Sequence, residues 1–407
     1  MTTLTEIKNG WTQRKIKDFG RVSTGTTPST KNKEYYGGRY KLISPADLTD
    51  SKYILTSHKL ITEEGLKVSR TLPQNAVLVG CIGNIGKIGM TVDEISAFNQ
   101  QINAVVCNDN FNCDFVYYLL RHSKPLLESK AAKVTLPILN KSNFENIEFE
   151  VPDLLEQKAI AQTLTAVQNA IAEQENLIAK FKELKRSMMQ HLFTHGTKGE
   201  KTKMTEIGKI PESWQVVRLG DVCETSSGGT PSRTKKQYYS GDIPWIKSGE
   251  MNDGYIENSE EKITSEAVEK SSAKLFEVGT LLVAMYGATA GKTAILSRDA
   301  TTNQAVCGIF KNENVNLEFV RYTLILQRDF LLDQRHGGAQ PNLSQTSIRN
   351  LLIPLPDVGE QNKIAESLVA TSKKIEAIQE KLLTYQNLFK TLLHELMSGE
   401  RRIKYAI

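Results

Sequence analysis

The chain has 407 residues, 40% hydrophobic and 24% charged, with a formal net charge of +5. That length exceeds what one core ordinarily supports, so two or more domains are expected, and the composition is that of an ordinary globular protein. No stretch reaches the roughly 18 apolar residues of a membrane span, the start MTTLTEIKNGW lacks a secretory pattern, and five cysteines without a C-x-x-C pair fit free thiols, so the cytoplasm is the expected location.

From Trp11 to Val151 the chain is rich in Gly, Pro, Asn and Thr. It holds short strand-like runs such as NAVLVGCIG and one short helical pattern, CDFVYYLLRHS. That mixture predicts an irregular α+β domain with many turns, over residues 1–152. Next, Pro152-Asp153-Leu154-Leu155-Glu156 places Asp three residues before Glu, a helix-start signature. Gly196 supplies a C-terminal stop. A first long helix is therefore expected over 153–196, about 60 Å long at 1.5 Å per residue. The polar stretch THGTKGEKTKMTEIGKIPES predicts a linker over 197–213.

The chain then repeats itself. Trp11 returns as Trp214, Thr27-Pro28-Ser29 as Thr230-Pro231-Ser232 and Tyr35-Tyr36 as Tyr238-Tyr239, each 203 residues later. Gly86-Lys87 returns as Gly291-Lys292, Asn99-Gln100 as Asn303-Gln304, and VPDLLEQKAIA as LPDVGEQNKIA. A period near 200 is too long for a solenoid of 20 to 50 residues and marks a duplicated domain. A second α+β domain is expected over 214–355, a second long helix over 356–399 ending at Gly399, and a tail over 400–407.

Both long helices carry an apolar stripe. The first presents Ile160, Leu164, Val167, Ile171, Gln174, Ile178, Phe181, Leu184 and Met188. The second presents Ile364, Leu368, Thr371, Ile375, Ile378, Leu382, Tyr385, Leu388 and Leu392. Most spacings alternate four and three, as in a coiled coil, with polar interruptions at Gln174 and Thr371. The remaining faces are charged, so the simplest partner of each stripe is the other. Antiparallel pairing would place one globular part at each end, with an approximate two-fold axis.

Catalytic patterns fail on spacing. Gly287-Ala288-Thr289-Ala290-Gly291-Lys292-Thr293 has three residues between its glycines where a phosphate-wrapping loop needs four, and Gly83-Asn84-Ile85-Gly86-Lys87 is shorter again. His191 and His195 lack the glutamate of H-E-x-x-H, and His394-Glu395 lacks the second histidine, so no metal site is expected. A nucleophile elbow and the Asn-Pro-Pro-aromatic signature of an adenine methyltransferase are both missing. Two small basic patches follow the Thr-Pro-Ser turns: Lys31, Lys33, Arg39 and Lys41 in one half, and Arg233, Lys235 and Lys236 in the other. They suit phosphate contacts at two sites or, equally, a solvated surface.

The ordered set of a G-x-T-P-S-type turn, a tyrosine pair, a Gly-Lys turn, an Asn-Gln step and a Pro-Asp…Glu-Gln helix start, used twice in register, resembles the specificity subunit of type I restriction-modification systems. The resemblance covers Trp11 to Gly399. It implies two target-recognition domains, each reading half of a split DNA sequence, with the helices as an antiparallel coiled-coil ruler. It also implies two modification (methyltransferase) subunits docked on the chain and restriction subunits joined to that core. S-adenosylmethionine, ATP and Mg are then expected on those partners, with no cofactor and no catalysis on this chain. A coiled-coil scaffold that bridges two proteins without reading DNA stands as the alternative, and a duplicated nucleotide hydrolase as a third reading.

Residues identical in both halves cannot distinguish different half-sites, so they are assigned to fold, phosphate or protein contacts. Candidate DNA contacts are Ser29, Lys31, Lys33 and Lys87 in the first half and Ser232, Arg233, Lys235, Lys236 and Lys292 in the second. Base readers are expected where the halves differ, as Arg and Asn or Gln side chains can bond guanine and adenine bidentately. GGAQPNLSQ and KVTLPILNK differ in that way. They nominate Arg335, His336, Gln340 and Asn342 in one half and Lys130, Lys133 and Thr135 in the other.

Overall fold

The structure, a computed structural model, describes residues 10–132, 136–333 and 343–403. The chain forms two compact units. The first comprises residues up to Glu175 together with those from Glu380 on, and the second runs from Asn176 to Gln379. Each unit therefore takes part of both long helices.

In the first unit, strand Thr12–Lys15 pairs antiparallel with Glu148–Val151, bringing the start of the domain to the strand that feeds the first long helix. An antiparallel sheet follows in the spatial order Gly20–Thr24, Ile102–Cys107, Val77–Gly80, Ile88–Met90. A second sheet has the order Leu60–Ile61, Tyr36–Ile43, Ile95–Phe98, Thr71–Pro73, with a parallel central pair. The second unit repeats this plan. Gln215–Arg218 pairs with Leu352–Leu355, and one sheet runs Thr225–Ser227, Val306–Ile309, Leu281–Ala284, Thr293–Leu296, Gly254–Ile256. The other runs Lys262–Ile263, Ile243–Ile246, Ala300–Thr302, Leu275–Phe276. The extra strand Gly254–Ile256 lies parallel to Thr293–Leu296. The first unit has a single parallel bridge there, Tyr53 to Met90.

The apolar runs are buried on both faces because side chains alternate across a strand. Val77 and Val79 face one core, shared with the helices, while Leu78 faces another between the sheets. Leu281 and Val283 against Leu282 and Ala284 divide in the same way. Each fully buried Val or Leu contributes roughly 1.5–3 kcal/mol.

The long helices span Leu154–His195 and Val358–Ser398. Asp153 and Asp357 cap them, each Oδ1 accepting the amide of Glu156 or Glu360 at 2.9 Å. Gly196 and Gly399, at φ +65° and +71°, end them in the left-handed conformation that glycine adopts without a Cβ penalty. In the first unit Ile160 and Leu164, near the start of one helix, share a core with Leu392 and Leu396, near the end of the other. In the second unit Ile364 and Leu368 share a core with Met189 and Phe193. Only an antiparallel pair makes both sets of contacts.

Two expectations change. The seam does not pass through Leu184 and Leu388, which are 48% and 41% exposed. A strict four-three count places Lys185 and Phe389 there, and Phe389 is buried. Lys185 is half-buried with its ammonium 5.2 Å from the Tyr322 ring centre. Burial, and then Arg321, push its pKa down. An apolar residue one place away drew the sequence pattern off the helical period. The stretch 197–213 is also more than a linker. Thr202–Thr205 and Gly208–Pro211 form a hairpin, with Gly208 at φ +103° in the turn. Ile207 and Ile210 pack with Trp214, which gives the hairpin a core to close on.

The repeated glutamate at each helix start ties down the tail of the opposite helix. Glu360, buried, accepts the Trp214 indole N–H at 3.1 Å and the Thr197 amide at 2.8 Å, and pairs with Lys198 at 3.2 Å. Glu156, also buried, takes a bidentate pair from Arg402, both contacts at 2.6 Å, with the guanidinium over the Trp11 ring. The same job is done by different partners.

Candidate nucleic-acid interface

In each unit the repeated motifs form one continuous hydrogen-bonded belt. The Thr27 hydroxyl donates to Gln100 Oε1 at 2.5 Å, and the Tyr36 hydroxyl donates to the Pro28 carbonyl at 2.7 Å. In the second unit Thr230 donates to Gln304, and Tyr239 to the Pro231 carbonyl at 2.7 Å. Asn99 and Asn303 each accept the amide two residues on, at 3.0 and 3.1 Å. The Thr-Pro-Ser turn and the Asn-Gln step are thus two halves of one fitting.

The belt continues into the Gly-Lys turns. The Cys81 amide donates to the Gln101 carbonyl and the Met285 amide to the Ala305 carbonyl, both at 2.8 Å. Gly86 and Gly291 both sit at φ +77°. Their amides donate back to the Gly80 and Ala284 carbonyls, at 3.1 and 2.8 Å. Those amides close the hairpin, so they are not free to wrap a phosphate as the loop of a nucleotide hydrolase would. Lys87 and Lys292 stand half-exposed beside them.

The segment expected to vary is hung from the same place. The Leu139 amide donates to the Cys81 carbonyl and the Leu343 amide to the Met285 carbonyl, both at 2.8 Å. Asn140 and Ser344 then cap matching short helices. In the first unit Gly83 also donates to the Pro137 carbonyl at 2.9 Å.

Ser29, Lys31 and Lys33 are exposed on the first Thr-Pro-Ser turn, as are Ser232, Lys235 and Lys236 on the second. Ser232 bonds Thr234, and Lys235 donates to the Tyr238 hydroxyl at 3.1 Å. Arg233 is held more firmly. It pairs with Glu261 at 2.5 Å and stacks 4.4 Å from the Tyr239 ring centre and 4.8 Å from that of Trp245. The hydrogen bonds from Arg233 hold the Glu261 carboxyl below its ordinary range. Lys130 caps the helix Lys124–Ser129 and lines a separate cleft with Ser142, Asn143 and Asn146. Lys133, Thr135, Arg335, His336, Gln340 and Asn342 lie outside the described residues.

Sequence reasoning passed over four further cations. Lys124 and Arg328, at matching places, pack beneath the Gly-Lys turns. A Cβ on Gly86 would stand 2.7 Å from Lys124 Cγ, and one on Gly291 would stand 3.1 Å from Arg328 Cγ. Arg328 also donates from Nε to the Gly291 carbonyl at 2.9 Å and pairs with Asp253 at 2.5 Å. Arg70 and Lys274, both exposed and 204 residues apart, bond the strand before each Thr-Pro-Ser turn, at Thr24 O (2.6 Å) and Ser226 Oγ (2.7 Å). The signal was there: a basic residue at the same place in both halves. Among the described residues no group of three or more His, Cys, Asp or Glu side chains could hold a metal ion. No helix among them is long and apolar enough to cross a membrane.

Residues 8–183 and 211–384 match the family model described as the type I restriction modification DNA specificity domain. The type I restriction enzyme MjaIX specificity subunit of Methanocaldococcus jannaschii is 25% identical over 417 residues, spanning 99% of this chain and 96% of that protein. The EcoR124I/EcoR124II specificity subunit of Escherichia coli is 28% identical over 156 residues, 37% of this chain and 39% of that one. Among solved structures, the S subunit of the type I restriction-modification system from M. genitalium superposes with a TM-score of 0.64. It is 15% identical and covers 100% of this chain and 99% of its own, a likeness of fold.

Proposed function

The chain belongs to the type I restriction modification DNA specificity family, and we propose that each of its α+β domains reads one half of a split double-stranded DNA target. The antiparallel helices set the gap between the halves. The chain is the non-catalytic platform on which two modification subunits dock, and restriction subunits join through them. S-adenosylmethionine, ATP and Mg serve chemistry on those partner chains.

One observation carries the reading: the same belt is built twice, its shared residues hydrogen-bonded into the fold while the segment hung from it differs. A protein that reads two unlike half-sites needs that division. Phosphate contacts fix position and carry no sequence information, so both halves can share them; base contacts must differ. Lys33 and Lys236 occupy the same place in the two halves, as do Lys87 and Lys292, and Lys124 and Arg328. These suit phosphates.

Exchanging residues 214–355 for the matching part of a relative with another target tests the reading. The assembled complex should methylate a site changed in one half only; a change in both halves, or in neither, refutes it. Salt gives a second check. With the six matched cations on phosphates, log K should fall against log salt with a slope of about −5. A scaffold that bridges proteins without reading DNA would show no such slope.

A further inference from the structure

Each domain rests its short helix, Cys113–His122 or Leu317–Leu326, against a long helix through a buried charge. In the first unit the charge is Lys52, whose side chain is 4% exposed. Its ammonium lies 2.7 Å from Asp114 on the short helix and donates to Thr165 Oγ1 on the long helix at 3.2 Å. It also sits 5.0 Å from the ring centre of Tyr118, whose hydroxyl donates to Gln168 Oε1 at 2.8 Å.

The second unit rebuilds this from a different residue. Glu318, Tyr322 and Ser372 stand where Asp114, Tyr118 and Gln168 stand, each 204 residues on. The cation, however, is Arg321, whose counterpart in the first half is Tyr117. Its side chain is 2% exposed. It donates to Glu318 at 2.7 Å, to the Asp253 carbonyl at 2.6 Å and to the Tyr322 hydroxyl at 3.0 Å. That hydroxyl lies 3.1 Å from Ser372 Oγ on the long helix. In one unit the loop before the sheet edge supplies the cation. In the other the loop supplies a carbonyl and the helix supplies the cation.

Inheritance from a common ancestral half does not by itself place a cation at non-matching positions. Nor is holding strength the obvious reason, since burying an ion pair is often no more stabilising than packed apolar side chains. What charge-assisted hydrogen bonds add is direction. They fix the angle and register of the short helix on the long one, where an apolar contact would allow sliding. Each short helix leads directly into Lys124 or Arg328 beneath the Gly-Lys turn, so its placement is passed to the belt.

We infer that Lys52 and Arg321 are positioning residues that set how strictly the two half-sites must be spaced. The inference rests on the split-target reading above. The test uses the full chain assembled with its modification subunits. It measures methylation of duplexes carrying both half-sites at the native gap and at one base pair more or fewer. Lys52→Met and Arg321→Met should each lower the ratio of native-gap to altered-gap methylation by about tenfold, the equivalent of 1.4 kcal/mol. Discrimination against single-base changes within a half-site should persist. Lys52→Arg, which keeps the charge, should restore the ratio. Tyr118→Phe and Tyr322→Phe, each removing one hydroxyl from a retained aromatic core, should relax it in the same direction even if a methionine variant fails to fold.

A merely structural role would lower the melting temperature and reduce methylation of all duplexes by one factor, leaving the gap ratio intact; that result overturns the inference. Loss of half-site base discrimination in the variants overturns it as well. Absence of half-site discrimination in the unaltered chain would instead sink the split-target reading.

Discussion

Replacing Leu184 and, separately, Leu164 with alanine distinguishes two registers of the helix pair that differ by a single residue. The apolar pattern of the sequence puts Leu184 on the seam, whereas the structure puts Lys185 there and leaves Leu184 48% exposed. Leu164 is fully buried. Truncating a buried leucine forfeits its transfer free energy and leaves a cavity, about 2–5 kcal/mol together. Leu184 has roughly half of the 1.5–3 kcal/mol transfer term to lose and no closed cavity to leave. Alanine's better helix propensity returns a few tenths of a kcal/mol. The expected costs are therefore under about 1 kcal/mol for Leu184→Ala and about 2–5 kcal/mol for Leu164→Ala. Guanidinium unfolding followed by far-ultraviolet circular dichroism reads both, provided the slopes match those of the parent chain. The converse change, Lys185→Phe, should raise stability by about 1 kcal/mol, because it places an apolar ring on Tyr322 as Phe389 sits on Tyr118. Equal losses for the two leucines, or destabilisation by Lys185→Phe, would refute the register.

Glu360→Gln tests the helix-start clamp. Burial raises the Glu360 carboxyl, but the bonds from Thr197, Trp214 and Lys198 outweigh it and leave the pKa lowered. Its contribution is thus complete above the ordinary glutamate range and lost as pH falls through the lower folded value, so the variant should be less stable at neutral pH and show a shallower acid limb below about pH 4.3 in thermal melts. Cys113 should be the thiol most readily alkylated, because a hydrogen bond from Cys107 pushes its pKa below the ordinary thiol value, while burial lifts Cys81 and Cys223 to about 11; peptide mapping after iodoacetamide treatment reads the order, and faster labelling of Cys81 or Cys223 would contradict it. Inserting one heptad in both long helices adds about 10.5 Å at 1.5 Å per residue. The gap between methylated half-sites should then lengthen while their bases stay the same, as read by sequencing of modified DNA.

The duplication made the domain plan, the helix ends and the antiparallel pairing legible in the sequence, because each signal appeared twice and had to agree with itself. Capping aspartates and terminal glycines act locally, and both kinds were found where the sequence placed them. The seam was misread at Leu184 and Leu388 because hydrophobicity and helical period disagree there, and geometry obeys the period. The hairpin at 202–211 was hidden because its apolar residues, Ile207 and Ile210, are few and answer to a distant core around Trp214. Lys124 with Arg328 and Arg70 with Lys274 are basic at matching places in both halves, but only the structure shows that the first pair packs under the Gly-Lys turns and the second bonds the strands before the Thr-Pro-Ser turns.

The internal repeat sorts residues more sharply once the structure is added. Identity between halves marks fold or phosphate contacts, but difference alone does not mark base reading. Arg402 answers Glu156 where Thr197 and Lys198 answer Glu360, and Lys52 answers Asp114 where Arg321 answers Glu318. These are unlike residues doing like work, and all are buried or committed. A base reader has to differ between the halves, be exposed, and have no counterpart doing the same structural task. On the Thr-Pro-Ser turns that criterion passes over the Lys33 and Lys236 pair, and it selects Thr30 against Arg233 and Lys31 against Thr234. Arg233 is the strongest of these. Glu261 and two aromatic rings fix its guanidinium plane, yet its side chain remains 54% exposed. Glu261 takes one N–H from each terminal nitrogen, which leaves the planar Nε–Nη2 edge to offer a guanine two donors. Arg233→Lys should therefore relax the preference at one base of the second half-site and leave the first half-site untouched.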